Sequence, residues 1–342
     1  TGNPLSMGVL SAMAGNRSAN FAVQNCDYLL VLGNRLTTMA TDNSPEKFAR
    51  AAKIVIVDID ENEHKKGNII IDKIITADVK DTILKLITCK VKDAEAEWID
   101  KCKEWKRIFP KCEDLYRKGE KIDLYEFTEA LSDILDKDDV LVTDAGLEEL
   151  IVPTNFTFKD GQRCLHPVCQ GAMGYALPAA VGGYYSSGKN VLAVIGDGSI
   201  MMNIQELQTI NHHRIPIKII IINNNCYAII RNRQQDLFRT RTVGTDKSNG
   251  ISCPDFKKVA GCFNLRYERI DNKHELYKLR DIMKMDEPVI CEVMCNESQQ
   301  YLHSSYRKDQ NGKFVQPPLE DQSPFLDRDL FLSQMIIEPI DL

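Results

Sequence analysis

Two short polar segments, each following a run of apolar residues, have the residue types to hold a metal ion and a phosphate group. The first is Gly196-Asp197-Gly198-Ser199, after the apolar residues 191–195, and the second is Asn223-Asn224, after residues 217–222. Asp197 and Asn224 are 27 positions apart, which leaves room for one helix and its loops, so both can lie at the carboxyl ends of neighbouring parallel strands. Carboxylate and amide oxygens suit Mg²⁺, and the glycines let the backbone approach a phosphate closely. Each segment alone would be an ordinary turn; the pair predicts a metal ion bound with a diphosphate.

The elements that must position these segments are strands alternating with helices. Apolar runs predict strands at 28–32, 53–57, 140–143, 190–195, 217–222, 266–270 and 288–294. Helical periodicity is found at 18–25, 79–89, 95–116, 125–135, 173–186, 203–213, 255–262 and 273–283. This alternation predicts an α/β protein with doubly wound parallel sheets flanked by helices. A polar run at 117–121 predicts a boundary, which gives domains at 1–118 and 119–300, followed by a C-terminal tail at 301–342 that wraps the surface.

Composition limits the partners and the compartment. The 342 residues are 43% hydrophobic and 27% charged, with a net charge of −6, so we expect neither a nucleic-acid nor a membrane partner. The apolar runs are far shorter than the roughly 20 residues that span a bilayer. Eleven cysteines, an odd number without a CxxC pair, favour free thiols in a reducing compartment. We therefore expect a cytoplasmic protein.

The two polar segments resemble the signature of the thiamine-diphosphate-dependent enzymes, a GDG followed about 27 residues later by NN. The similarity is closest to the acetolactate synthase branch. It extends to Thr143-Asp144-Ala145-Gly146, to residues 170–180 (QGAMGYALPAA) and, upstream, to residues 19–27 and 33–35, which look like the second half of that branch's central domain. The resemblance implies a partial central α/β domain at 1–118 and a thiamine-diphosphate-binding fold at 119–300. It covers nearly the whole chain except the tail.

The resemblance also implies a set of ligands. It assigns Mg²⁺ to Asp197, the Asn224 side chain and the Cys226 backbone carbonyl. It assigns the diphosphate to Gly198 and Ser199 and the aminopyrimidine to the Gly171 carbonyl, while Gly196 is expected to let the backbone approach the phosphate closely. Met173 would be the apolar wedge that bends the cofactor; the alternative interpretation of Met173 is an ordinary core residue at the start of a helix.

The activity that the resemblance implies is decarboxylation of a 2-oxo acid followed by addition of the acyl group to a second carbonyl compound, in a homodimer or homotetramer. The alternatives are simple 2-oxo acid decarboxylation and a cofactor-binding or scaffold chain without turnover. In this family a glutamate of an N-terminal pyrimidine-binding domain activates the cofactor, and no segment here matches that domain. We expect this chain alone to be inactive, with the missing half supplied by an absent segment or a separate subunit.

Three departures from the family pattern bear on the substrate and on cofactors. Arg233 occupies the place of a tryptophan that helps to choose the acceptor, so Arg233 or Arg231 would meet an anionic substrate group; the alternative is a solvated helix arginine. Glu148 falls near the diphosphate, where a carboxylate is electrostatically unhelpful, so we expect it to point away or to handle the substrate.

The third departure concerns FAD, which the synthases bind through their central domain. Here Arg35 is kept, but the two acidic residues of the flavin-binding stretch are lost. Asp58 and Asp78 could still meet a ribose or an adenine edge, or could equally be helix caps, and FAD is the less favoured expectation. The C-terminal region of the synthases folds over the active site, so the tail is also a candidate lid.

Overall fold

The computed structural model describes residues 3–65, 67, 69–167, 170–308 and 312–340. The chain divides into two compact units. Met7–Lys111 and Tyr301–Leu342 form one, which we call the three-stranded unit; Thr1–Ser6 and Cys112–Gln300 form the other, the six-stranded unit. This division begins the second unit a few residues before the polar run at 117–121, and it groups the tail with the three-stranded unit. None of the described helices is both long and apolar enough to cross a bilayer.

The three-stranded unit is built on a parallel sheet of β1 to β3 in sequence order. The middle strand β2 is buried from its second residue onward, as a near-continuous apolar run in a parallel sheet should be. The short third strand was not predicted, since only two of its four residues are apolar. The elements of this part are α1 (Arg17–Asn25), β1 (Tyr28–Leu32), α2 (Thr38–Thr41), β2 (Lys53–Asp58), β3 (Lys73–Thr76), α3 (Val79–Leu86) and α4 (Ala96–Ile108).

The six-stranded unit is a parallel sheet in the order β5-β4-β6-β7-β9-β8. Its elements are α5 (Leu124–Ile134), β4 (Val140–Thr143), α6 (Leu147–Asn155), β5 (Arg163–Leu165), α7 (Ala176–Ser187), β6 (Val191–Gly196), α8 (Glu206–His212), β7 (Lys218–Asn223), α9 (Ala228–Leu237), α10 (Phe256–Cys262), β8 (Arg266–Ile270), α11 (Lys278–Met283) and β9 (Val289–Met294). The predicted parallel sheets flanked by helices are confirmed. Strands β6 and β7 are neighbours, with Gly196 paired to Ile222, so the two polar segments leave the sheet side by side.

The tail contains β10 (Arg307–Lys308), β11 (Phe314–Val315) and α12 (Arg328–Gln334). It packs on α1, whose polar side chains are buried against it. The Asn20 side-chain amide donates to the Gln322 Oε1 at 2.7 Å, and that of Gln24 donates to the Glu320 Oε2 at 2.7 Å. Phe331 joins the apolar cluster around α1 and α4. These contacts make the tail part of the core of the three-stranded unit, whereas the sequence suggested a surface wrap or a lid.

Candidate functional site

The carboxyl ends of β4, β6 and β7 border a cavity of about 290 Å³ in the six-stranded unit. This is the edge at which open α/β sheets bind ligands. Every residue that the resemblance assigned to the metal or the cofactor lines this cavity: Gly171, Met173, Gly196, Asp197, Gly198, Ser199, Asn224 and Cys226. The structure therefore brings together residues that lie up to 55 positions apart in sequence.

Asp197 is the central acidic group of the cavity. It is 2% exposed, and its backbone N–H donates to the Ile222 carbonyl at 3.0 Å, which ties the β6 turn to β7. One carboxylate oxygen, Oδ1, accepts from the Gly198 N–H at 2.7 Å, whereas Oδ2 is buried and has no hydrogen-bond partner among the described residues. Burial raises the pKa of Asp197 to about 6. A buried carboxylate oxygen that lacks a donor is a position where a bound cation would restore the lost solvation.

Asn224 and Cys226 reach the same cavity through a tight turn after β7. The Asn223 Oδ1 accepts from the Asn225 N–H at 3.0 Å, and Asn225 has a φ of 55°, in the left-handed region that asparagine tolerates. The Asn224 Oδ1 accepts from the Cys226 N–H at 3.2 Å. With Asp197, this turn offers carboxylate, amide and backbone carbonyl oxygens, a set that fits Mg²⁺.

Close packing at the GDG segment requires its glycines. A Cβ on Gly198 would lie 1.9 Å from the Cε1 of Tyr227, and a Cβ on Gly196 would lie 3.0 Å from the Oε1 of Glu148. The segment continues into a single 3₁₀ turn, Ser199–Met202, and α8 begins only at Glu206, three residues later than predicted. The Gly198 N–H donates to the Asp197 Oδ1, so it is not free to donate to a phosphate in this structure.

Asp144 organises the opposite wall of the cavity. It follows β4, is fully buried, and accepts from the N–H groups of Ala145 at 2.9 Å, Gly174 at 2.9 Å and Ala176 at 2.7 Å. These bonds hold the loop before α7, on which Met173 is 38% exposed and lines the cavity. This exposure is inconsistent with the interpretation of Met173 as an ordinary core residue. The motif that contains Asp144 did not by itself predict this role.

Glu148 and Glu149, in the first turn of α6, also line the cavity. Glu148 is 5% exposed; burial, and then the charges of Asp197 and Asp144, raise its pKa to about 8. Burial, and then the charge of Asp144, raise the pKa of Glu149 to about 7. Glu148 does not point away from the site. Because such acids hold their protons near neutral pH, they need not repel a bound diphosphate.

The two arginines proposed as substrate contacts lie outside the described cavity lining. Arg231 on α9 donates to the Glu297 carbonyl and pairs with Asp246 at 3.7 Å. Arg233 is exposed, as the alternative interpretation of a solvated arginine predicted. From the same helix, Ile229 and Ile230 line the cavity instead. This part of the wall is therefore apolar.

The residues considered for FAD have local partners in the three-stranded unit. Arg35 pairs with Glu63 at 3.0 Å, and the Asp58 carboxylate lies 3.1 Å from the Nε2 of His64. Asp78 caps α3 by accepting from the Asp81 N–H at 3.1 Å. Capping was one of the two interpretations given for these acids, and for Asp78 the structure shows it.

Comparison with known proteins gives two family matches. Residues 1–86 match the model described as "Thiamine pyrophosphate enzyme, central domain", and residues 144–293 match "Thiamine pyrophosphate enzyme, C-terminal TPP binding domain". All the cavity residues discussed above fall in the second match.

Similar curated proteins are acetolactate synthase large subunits. That of Lactococcus lactis subsp. lactis is 28% identical over 298 residues, which is 86% of this chain and 50% of the relative. That of Porphyra purpurea is 31% identical over 296 residues, covering 84% of this chain and 49% of the relative. The isozyme 1 large subunit of Escherichia coli K12 is 31% identical over 296 residues, covering 85% and 51%. The chain thus spans about half the length of the curated relatives that it matches.

Proposed function

The chain belongs to the acetolactate synthase-like thiamine pyrophosphate enzymes, and from that premise we propose that it binds thiamine diphosphate with Mg²⁺ and uses it to decarboxylate a 2-oxo acid and to join the acyl group to a second carbonyl compound. One observation carries the proposal. The Asp197 Oδ2 is buried without a hydrogen-bond donor at the strand edge where Asn224 and Cys226 also converge.

The metal would be held by three oxygen donors of this chain. Asp197 would give its unpartnered carboxylate oxygen, Asn224 its side-chain oxygen, and Cys226 its backbone carbonyl. The turn hydrogen bonds described above orient these groups before the ion arrives, so little conformational entropy is lost on binding. Residues 196–199 line the cavity directly after β6, so a diphosphate would lie along the backbone of this segment.

Thiamine diphosphate, when bound, supplies the electron sink that lets a 2-oxo acid lose CO₂. The protein supplies protons and exclusion of water. Glu149, with a pKa of about 7, can hold or release a proton at its carboxyl beside Gly171, and Glu148, with a pKa of about 8, stays mostly neutral at pH 7. Met173, Ile229 and Ile230 give the cavity an apolar wall.

The proposal includes a further contribution from outside these residues. In this view, the glutamate that activates the aminopyrimidine belongs to a pyrimidine-binding domain of the same protein or of a partner copy. The active form would then be a homodimer or homotetramer. Since this chain spans about half the length of its relatives, the activity is best measured on the complete natural protein.

The test is a product analysis with the complete protein, stripped of metal with EDTA and then given Mg²⁺ and thiamine diphosphate. With pyruvate and other 2-oxo acids, we expect CO₂ release and a 2-hydroxy ketone product; an aldehyde product would instead support simple decarboxylation. Asp197→Ala should abolish metal-dependent turnover, whereas Asp133→Asn, an exposed change on α5, should not. Binding without turnover would support a cofactor-binding chain, and undiminished activity in Asp197→Ala would refute the metal assignment.

A further inference from the structure

A buried charged network lies behind the turn that carries Asn224 and Cys226. At its centre is Glu292 on β9, which is only 4% exposed although it is a glutamate in the middle of a strand. Its Oε1 accepts from the Asn223 side-chain amide at 2.6 Å. Its Oε2 accepts from the Tyr267 hydroxyl and from the Arg269 guanidinium, the latter at 3.4 Å.

We propose that Glu292 is a positioning residue for the metal site and acts through Asn223. The inference rests on the proposed function, because it assumes that Asn224 and Cys226 serve as Mg²⁺ ligands. Glu292 itself does not line the cavity among the residues described there. Its effect is on the geometry of the turn.

The side-chain amide of Asn223 has two possible orientations, with either its oxygen or its nitrogen towards Glu292. An ionised carboxylate can only accept hydrogen bonds, so Glu292 requires the amide nitrogen of Asn223 to face it. The Asn223 Oδ1 must then face the opposite direction, where it accepts from the Asn225 N–H at 3.0 Å. Reversing the amide would leave two acceptors facing each other and would remove the Asn223 Oδ1 from the Asn225 N–H.

The hydrogen bond from the Asn225 N–H to the Asn223 Oδ1 is one of the side-chain hydrogen bonds within the turn; in another, the Cys226 N–H donates to the Asn224 Oδ1. Asn225 has a φ of 55°, a left-handed conformation that asparagine adopts readily within a turn. The turn sets the direction of Asn224, the residue before Asn225, and of Cys226, the residue after it. A change at Glu292 therefore reaches the proposed ligands through a single side chain, Asn223, which is itself 6% exposed.

Tyr267 and Arg269, from the neighbouring strand β8, keep the Glu292 carboxylate in place. Burial, and then the hydrogen bond to Glu292, raise the pKa of Tyr267 to about 12, so its hydroxyl keeps its proton and donates. Arg269 supplies a positive charge and also pairs with Asp271 at 2.7 Å. The network thus runs from the surface of the sheet to the turn, and buried carboxylates of this kind persist when they are paired in this way.

The test measures Mg²⁺ binding by calorimetry in the complete protein at saturating thiamine diphosphate, together with the melting temperature of the metal-free protein. Glu292→Gln can present its own amide to Asn223 and so removes the constraint on the amide direction. We expect it to weaken Mg²⁺ binding about 10- to 100-fold, the range typical when groups behind metal ligands are changed. Glu268→Gln, the same chemical change at the exposed ion pair with Arg266 on β8, should leave Mg²⁺ affinity within about threefold.

A double variant, which we call the exchanged pair, separates a positioning role of Glu292 from a general effect on the stability of the fold. Combining Asn223→Asp with Glu292→Gln keeps the net charge and reverses donor and acceptor, so the residue at 223 still offers an oxygen to the Asn225 N–H. We expect it to recover Mg²⁺ affinity to within about threefold of wild type. If Glu292→Gln does not fold, the exchanged pair alone decides the matter. An exchanged pair that folds but binds Mg²⁺ at least tenfold more weakly refutes the inference.

Two other outcomes distinguish failure of the positioning role from failure of the proposed function. If wild type binds Mg²⁺ and thiamine diphosphate but Glu292→Gln binds Mg²⁺ equally well, the positioning role is wrong and the proposed function stands. If the complete wild-type protein binds neither Mg²⁺ nor thiamine diphosphate, the proposed function and this inference are both overturned.

Discussion

Asp197 should make the metal-free protein less stable, so Asp197→Asn should stabilise it. The variant keeps the side-chain shape and an oxygen that can accept from the Gly198 N–H. It removes the buried negative charge of a carboxylate whose Oδ2 has no hydrogen-bond partner among the described residues. Stability gained by removing a charge at the cost of metal binding would show that the site is built for a cation.

The size of the expected stabilisation follows from the pKa of Asp197. Burial raises this pKa from the ordinary value of 3.8 to about 6, and a difference of this size corresponds to about 3 kcal/mol between the two protonation states. The new amide N–H₂ lacks an assured acceptor, which costs about 1 kcal/mol. We therefore expect a net gain of about 1–2 kcal/mol, or a melting temperature about 2–8 °C higher for a unit of this size.

The sign of the pH dependence is fixed by the direction of the shift. Because the folded pKa is raised, the folded state holds the proton more tightly than the unfolded state, and wild type loses stability as the pH rises from about 4 to about 6. Below about pH 4 the residue is protonated in both states. The advantage of Asp197→Asn should therefore appear between these values and persist above them.

The assay is thermal unfolding of the complete protein in EDTA at pH 4 and pH 7.5, repeated at pH 7.5 with Mg²⁺ and thiamine diphosphate. With both ligands the order should reverse, since wild type gains binding energy that the variant cannot. Asp133→Asn, an exposed change in the same unit, should shift the melting temperature little. The reasoning is refuted if Asp197→Asn melts below wild type at pH 7.5 in EDTA, or if its advantage is the same at pH 4.

Three further predictions concern the walls of the cavity. Gly198→Ala must displace the Tyr227 ring, because its Cε1 would lie 1.9 Å from the new methyl group. Urea unfolding should show a free energy of unfolding lower by about 1–3 kcal/mol. The control Gly182→Ala, on α7 with nothing within 4 Å, should raise the free energy of unfolding by up to about 1 kcal/mol. Asp144→Ala removes the acceptor of three backbone N–H groups. We expect the free energy of unfolding in urea to fall by about 2–4 kcal/mol and calorimetry to show weaker thiamine diphosphate binding. If neither value changes, the structural role of Asp144 is contradicted. Because the pKa of Glu148 is raised to about 8, wild type should lose stability as the pH rises from about 4.5 to 8. In EDTA, the melting temperature of Glu148→Gln should depend less on pH over that range. Equal slopes of melting temperature against pH in the two proteins would show that Glu148 is ionised throughout the range.

Much of the fold could be predicted from local patterns in the sequence. The two strands on either side of the site consist mainly of apolar residues, and all six residues of β6 and all six of β7 are buried in the structure. Such runs can be recognised as strands in the sequence, because a parallel sheet is covered on both faces and its strands are therefore apolar on both sides. The short strands β3 and β5 were missed, since three or four residues of mixed polarity give no periodicity.

The gathering of the cavity residues could also be anticipated, because it follows from topology rather than from detailed packing. Two parallel strands joined by a helix must end at the same edge of a sheet, so a polar residue directly after each strand is brought close to the other. Asp197 and Asn224 needed only this rule and their spacing. Their assignment to Mg²⁺ stays a prediction.

The tertiary structure decided what depends on burial and on partners distant in sequence. Glu148 is a surface-like residue by type, but the fold encloses it, and enclosure sets its pKa. Arg231 was predicted as a candidate substrate contact, but in the structure it pairs with Asp246. Glu292 gave no signal at all, since its partner Asn223 is 69 positions away. Spacing along the chain thus determined which residues meet at the sheet edge, while their charge states and supporting contacts required the packed molecule, because desolvation and hydrogen bonding arise only between surfaces that folding brings together.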